Sequence, residues 1–304
     1  MSSFMWGSIF LNLLSFFIFK SNCLAFVPFP SFEEGEIVKV VDSQYFSEKL
    51  SKMEIPDISA TNAVVLDLNK DIFIFEKDSE EVKPIASISK LMAVLVMMEN
   101  FKLDLDEYYI IKGSDHRPGG RNHVFRGEEV KRQDLLALTL IASDNSALIS
   151  LISSLNLEEK DLVELMNQKA KDLGLENTRF EDATGLDVRN VSTAKELATL
   201  LKESFSIPEI VDLIKKPQYS FYTKQGVLKT AYSTNELLNN FTNQLDLEII
   251  GAKTGYNDLS GYCLGSKFSI NQSEFISIVL NASSLKARFN DTRNIAQAVY
   301  NYYN

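Results

Sequence analysis

Pro84-Ile85-Ala86-Ser87-Ile88-Ser89-Lys90-Leu91-Met92 is the stretch that decides how this chain folds and what surrounds its chemistry. The residues after Pro84 are apolar at helical spacing and meet no breaker before Met98, which predicts a helix over 87–98. Residues three apart share a helix face, so the Ser87 hydroxyl and the Lys90 amine can meet. The start of a helix also points free N–H groups and a positive dipole end at any oxyanion forming beside Ser87. A serine hydroxyl is a weak nucleophile until a base takes its proton. A lysine that is desolvated, or lies near another cation, is neutral enough to serve as that base. Taken alone, Ser-x-x-Lys is common on amphipathic helices, and its meaning depends on the rest of the chain.

Upstream, Ala63-Val64-Val65-Leu66-Asp67-Leu68 and Ile72-Phe73-Ile74-Phe75 have the pattern of two strands joined at Asn69-Lys70-Asp71. Downstream, helical patterns occupy about 132–142, 145–155, 159–173, 192–205 and 208–215. Strand-like segments return at 218–223, 226–232, 247–253, 261–268 and 274–281, and 288–302 forms a closing helix. Strands at both ends with helices between them predict an α/β fold, an antiparallel sheet flanked by helices with a helical subdomain. The terminal helix is expected on one face of that sheet. With no Gly/Ser linker or internal repeat, 57–304 is expected to be a single domain.

The chain has 304 residues, 45% apolar and 24% charged, the profile of a globular protein. Lys plus Arg total 31 against 41 Asp plus Glu, a net charge of −10 that argues against binding nucleic acid. Cys23 and Cys263 cannot form a disulfide scaffold, and His116 and His123 lack the spacing of a zinc-binding helix, so no metal or other cofactor is expected. Phe4 to Phe19 is an uncharged apolar run of 16 residues, short of the roughly 20 that span a bilayer. With Ala25 as a cleavage position, residues 1–25 resemble a signal peptide or an uncleaved membrane anchor. Either reading puts the body of the protein outside the cytoplasm, with 26–56 as a linker or loosely docked arm carrying a short helix near 43–52. Cys263 is then left unpaired and is expected to be buried.

Two further motifs follow in order. Ser143-Asp144-Asn145 lies between two helical runs and by itself is an ordinary helix break with an N-cap. Lys253-Thr254-Gly255 closes the apolar run that begins at Leu247, and by itself is a polar strand end. The succession SxxK, SDN, KTG is far more specific than any one member, and it is the set found in β-lactamases and penicillin-binding proteins. The chain resembles the serine-type D-Ala-D-Ala carboxypeptidase family (peptidase S11, the low-molecular-weight penicillin-binding proteins) over roughly residues 56 to 300. Supporting segments are Gly127-Glu128-Glu129-Val130, Asp134-Leu135-Leu136, Asn167-Gln168-Lys169-Ala170, Leu173 to Phe180, Gly185-Leu186-Asp187, Ser192 to Ala198 and Gly261-Tyr262-Cys263.

The resemblance implies a β-lactamase/transpeptidase-like (penicillin-recognising) fold and acyl transfer on peptidoglycan stem peptides, with β-lactams as acylating inhibitors. It implies Ser87 as nucleophile, Lys90 as proton acceptor and Ser143 as a relay to the leaving amine. Asn145 would hold the substrate amide, Lys253 would supply positive potential, and Thr254 and Arg288 would bind the terminal carboxylate. The Lys253-Thr254-Gly255-Tyr256 segment would line the substrate, with the N–H groups of Ser87 and Tyr256 as oxyanion hole. Departures from the pattern are Asp144 in place of a small residue, Ser146 in place of Asp, and Asn190 in place of His. A DD-endopeptidase uses the same machinery and is the alternative. A class A β-lactamase needs a deacylating glutamate, which Glu164-Leu165-Met166-Asn167 imitates only inside a helical pattern. A non-catalytic wall-binding protein is opposed by the retention of every catalytic residue type. The stretch holding Arg117, Gly119, Gly120, Arg121 and Arg126 is expected to be a surface loop near the cleft rather than a separate anion site.

Overall fold

A computed structural model describes residues 57–240 and 246–303 of the chain. The first half runs β1 (Asn62–Asp67), β2 (Ile72–Lys77), β3 (Lys83–Pro84), a 3₁₀ turn at Ala86–Ile88, α1 (Ser89–Asn100), β4 (Tyr108–Ile110) and β5 (Glu129–Lys131). Then come α2 (Arg132–Ile141), α3 (Asn145–Ser154), α4 (Glu159–Asp172), β6 (Val191–Ser192), α5 (Ala194–Ser204) and α6 (Pro208–Ile214). The chain continues through β7 (Gln218–Tyr222), β8 (Leu228–Tyr232), α7 (Leu237–Asn240), β9 (Leu247–Asn257), β10 (Gly261–Ile270), β11 (Ser273–Ala282) and α8 (Leu285–Tyr303). The predicted signal or anchor at 1–25, its apolar run 4–19, Cys23, and the arm 26–56 with its short helix lie outside the described residues.

The main sheet has five strands in the order β2-β1-β11-β10-β9, antiparallel throughout. Its N-terminal hairpin, β1–β2, meets the last strand in register, with Val64 opposite Ile278 and Leu66 opposite Ile276. Both faces are covered, which explains why β1 is buried at every position instead of alternating apolar and polar. Val64 and Leu66 join the core shared with α1 and α5, while Ala63 and Val65 pack toward Phe289, Ile295 and Val299 of α8. On the other side of the sheet, α1 is buried from Ser89 to Met97 and packs among α2, α4 and α5. A helix apolar all round belongs at a centre, and α1 occupies one.

The structure differs from the sequence reading at three informative places. Ser87 sits in the 3₁₀ turn rather than in the α-helix, because Ala86 takes a φ of +47° and its carbonyl accepts from the Ser89 hydroxyl at 2.8 Å. The strand holding Lys253-Thr254-Gly255 does not end there but continues to Asn257 as the edge strand β9. The helix expected from 192 begins at Ala194, with Thr193 as its N-cap accepting from the Glu196 N–H at 3.1 Å. The short ladders β3–β6 and β4–β5 are too brief to leave a periodic signal. The first of these pins the Ser87 turn, since Ile85 N–H also donates to Asn190 O at 3.0 Å.

Candidate active site

Ser87, Ser143, Asn145, Thr254, Gly255, Tyr256 and Arg288 all line one open cleft of about 450 Å³. Lys90 and Lys253, both 0% exposed, lie beneath it. Every catalytic and substrate-binding residue that the resemblance implied is therefore brought to one place.

Helix α1 delivers Lys90 in its first turn, where Nζ lies 2.9 Å from Ser87 Oγ, 2.6 Å from Asn145 Oδ1 and 2.7 Å from Thr184 O. Burial makes the ammonium costly and draws the Lys90 pKa down to about 7, although the carboxylates of Asp182 and Asp144 oppose the fall. At neutral pH a substantial share of Lys90 is thus a free amine within hydrogen-bond distance of a hydroxyl.

Ser143 occupies the break between α2 and α3 with a φ of +58°, a conformation that non-glycine residues hold only when their surroundings enforce it. Asp144 supplies part of that enforcement by capping α3, its Oδ1 accepting from Ala147 N–H at 3.0 Å. Ser143 Oγ lies 2.7 Å from Lys253 Nζ, which also donates to Thr254 O at 2.9 Å. Burial, then the nearby Lys90 and Arg288 cations, push the Lys253 pKa well below that of an ordinary lysine.

Close backbone approach seals this arrangement. A Cβ on Gly185, at φ +82°, would lie 2.0 Å from Ala86 O, and one on Gly255 would lie 2.7 Å from Ile85 O. Glycine at both positions lets the 184–186 segment and β9 close on the turn that carries Ser87. Thr254 Oγ1 lies 2.7 Å from Thr234 Oγ1, and Tyr256 stacks on Tyr262 with ring centroids 4.4 Å apart. Arg288 stands in the first turn of α8, donates through Nη1 to Gly255 O at 3.1 Å, and holds its guanidinium over Phe289 and Tyr262. Its Nε is buried without a partner among the described residues.

Thr184, Asp182 and Thr234 take part in this network and were not singled out from the sequence. The Gly185-Leu186 segment marks the neighbourhood of the first two, whereas Thr234 carries no local signal. Glu164, the imitation of a deacylating glutamate, is exposed on α4, and Asn167 beside it is used to hold Phe180 through N–H and carbonyl contacts at 2.9 and 2.8 Å. Cys263 is buried and unpaired in β10, opposite Gly255, and burial pushes its thiol up to about 11.

A hydroxyl next to a buried amine, with a second hydroxyl–amine pair in the same cleft, has the chemistry of a serine–lysine acyl-transfer site. Known proteins point the same way. The model of the D-alanyl-D-alanine carboxypeptidase family, peptidase S11, matches residues 49–284. The chain is 34% identical over 245 residues to a D-alanyl-D-alanine endopeptidase of Escherichia coli, covering 79% of this chain and 77% of that one. It is 29% identical over 238 residues to the D-alanyl-D-alanine carboxypeptidase DacF of Bacillus subtilis, covering 75% and 59% respectively. The crystal structure of the Streptomyces K15 DD-transpeptidase shares the fold, with a TM-score of 0.75 at 23% identity over 82% of this chain and 99% of that one. The chain belongs to the peptidase S11 family of D-alanyl-D-alanine carboxypeptidases, and its fold is the penicillin-recognising one.

Proposed function

We propose that this protein is a serine-type D-Ala-D-Ala carboxypeptidase that removes the terminal D-alanine from peptidoglycan stem peptides through an acyl-enzyme on Ser87. The observation that carries this reading is the 2.9 Å contact between Ser87 Oγ and the fully buried Lys90 Nζ at the cleft. The stem peptide lies extended along the free edge of β9, which offers main-chain donors and acceptors as any edge strand does. Its terminal carboxylate meets Thr254 and Arg288, and its amide is held by Asn145. Lys90 takes the Ser87 proton as Oγ bonds to the carbonyl carbon, and the N–H groups of Ser87 and Tyr256 receive the oxyanion. The C–N bond then breaks, and the departing amine of D-alanine takes a proton relayed through Ser143. Water, deprotonated in turn, cleaves the ester and frees Ser87. Lys253 supplies positive potential once an arriving carboxylate offsets its cationic neighbours.

A second reading, the DD-endopeptidase, is favoured by one observation. The relatives at 33% and 34% identity are named D-alanyl-D-alanine endopeptidases and match over 76% and 77% of their length, whereas DacF matches over 59%. Incubating the purified protein with a muropeptide monomer and a cross-linked dimer, followed by mass analysis, separates the two. Free D-alanine from the monomer supports the carboxypeptidase, and cleavage of the dimer alone supports the endopeptidase.

β-Lactams imitate the scissile carbonyl in a strained ring and should acylate Ser87. No Asp or Glu lines the cleft among the described residues, so nothing there resembles the deacylating glutamate of a class A β-lactamase, and the adduct should persist. Intact mass after penicillin treatment should show one added antibiotic on the Ser87 peptide, and rapid destruction of penicillin without an adduct would refute this. A wall substrate agrees with an extracytoplasmic location, for which 1–25 serves as signal peptide or, through 4–19, as membrane anchor.

A further inference from the structure

One stretch of the cleft wall is held with unusual thoroughness. Asn145 Nδ2 donates to Pro118 O at 3.1 Å and Gly119 O at 3.0 Å. Ser146 Oγ accepts from Arg117 N–H at 3.0 Å and donates to Asn122 Oδ1 at 3.1 Å. Asp144, fully buried, accepts from His123 N–H at 2.7 Å through Oδ2, which also lies 2.9 Å from His123 Nδ1. Three consecutive residues at the start of α3 thus grip both ends and the middle of the 117–123 loop. Two of them, Asp144 and Ser146, are positions where this chain departs from the pattern it resembles.

The loop so fixed carries Arg121 into the lining of the cleft. Among the described residues Arg121 has neither a hydrogen-bond nor an ion-pair partner, unlike Arg117 on Glu159 and Arg189 on Asp187. Acids are plentiful in this chain, 41 against 31 basic residues, yet none of those described lines this cleft. A guanidinium on a rigid loop, facing a cleft from which carboxylates are excluded, is available for an anion brought by a ligand. The terminal carboxylate of the substrate is already assigned to Thr254 and Arg288. A departing D-alanine carries only that one, so a second carboxylate must belong to the acyl half that stays on Ser87.

We propose that Arg121 is a specificity-determining residue that reads a second, free carboxylate on the acyl half of the stem peptide, as a diamino-diacid residue before the two D-alanines would supply. This assignment rests on the peptidase reading given above. The test uses two synthetic peptides ending in D-Ala-D-Ala, identical except that the preceding residue bears a side-chain carboxylate either free or as its amide. The wild-type protein should favour the free acid about tenfold or more in kcat/KM, chiefly through KM. Arg121→Gln should bring the ratio close to one, and Arg121→Lys should retain part of the preference. Each ratio is measured within one preparation, so loss of folded protein cancels. A wild-type ratio of one, or a Gln variant that keeps the full preference, overturns the assignment while leaving the peptidase standing. Release of D-alanine from neither peptide overturns the carboxypeptidase reading and this assignment with it.

Discussion

Lys90 and Lys253 are both fully buried, and each lies within 2.9 Å of one serine hydroxyl, yet they stand in opposite electrical surroundings. Lys90 has the Asn145 and Thr184 oxygens against it and two carboxylates, Asp182 and Asp144, within range of its charge. Lys253 has Thr254 O besides its serine, and its charged neighbours are the Lys90 and Arg288 cations. Desolvation lowers both, but carboxylates oppose the fall at Lys90, which stays near 7, while at Lys253 the Lys90 and Arg288 cations add to it. The same side chain is thereby suited to two tasks: Lys90 to gain and lose a proton near neutrality, Lys253 to hold its charge more readily when an anionic substrate arrives.

The sharpest way to break this comparison is Ser87→Ala, which removes the hydroxyl in contact with Lys90 Nζ. Turnover should fall by about 10⁴-fold or more, because residues acting as one unit cannot replace a missing nucleophile. The far-ultraviolet circular dichroism should be unchanged, since one hydroxyl at the cleft contributes little to packing. Near-wild-type turnover in the folded variant would sink the mechanism.

Next in size is Gly185→Ala, which strikes the seal over Lys90 and leaves Lys253 alone. The new methyl would collide with Ala86 O at a positive φ, so urea denaturation should report a loss of about 2 kcal/mol or more. Activity should drop about a hundredfold with it, since small displacements of reacting groups carry that size of penalty. A variant as stable and active as the wild type would mean that the close approach at Ala86 is not needed.

A pH profile sharpens the contrast without mutation. In the proposed mechanism the free amine of Lys90 is the active form, so kcat/KM should rise with pH through about 7 and fall about tenfold per unit below it. An acid limb centred near 10, as for an exposed lysine, would deny Lys90 the role of base. The smallest effect concerns Lys253. Its substitution by Ala should raise KM several-fold more than substitution by Arg, because Arg keeps the positive charge at the cleft. Equal losses in the two variants would count against the electrostatic role.

Legibility followed range along the chain. The Ser87–Lys90 contact is a consequence of three-residue spacing, and it survived even though the turn there is 3₁₀ rather than α. The core strands showed themselves through runs such as Ala63–Leu66, whose burial on both faces leaves an unbroken apolar pattern. The extent of β9 did not show, because Lys253-Thr254-Gly255 is polar in sequence yet buried, its strand character coming from pairing with Leu264 and Cys263. Asp144 and Ser146 looked like isolated departures, and only the folded loop 117–123 reveals that they hold a common partner.

By itself the sequence determined the class of fold, the order of the three motifs and the pairing of the Ser87 hydroxyl with its neighbouring amine. These rest on local periodicity, on three-residue spacing and on the succession of short motifs along the chain. The tertiary structure alone decided that Lys90 meets Asn145 across 55 positions and Lys253 meets Ser143 across 110. It alone decided which lysine has carboxylates nearby, and that Arg121 lines the cleft without a partner among the described residues. A pKa depends on the water removed and the charges brought close, and both come from chain segments that the sequence keeps far apart.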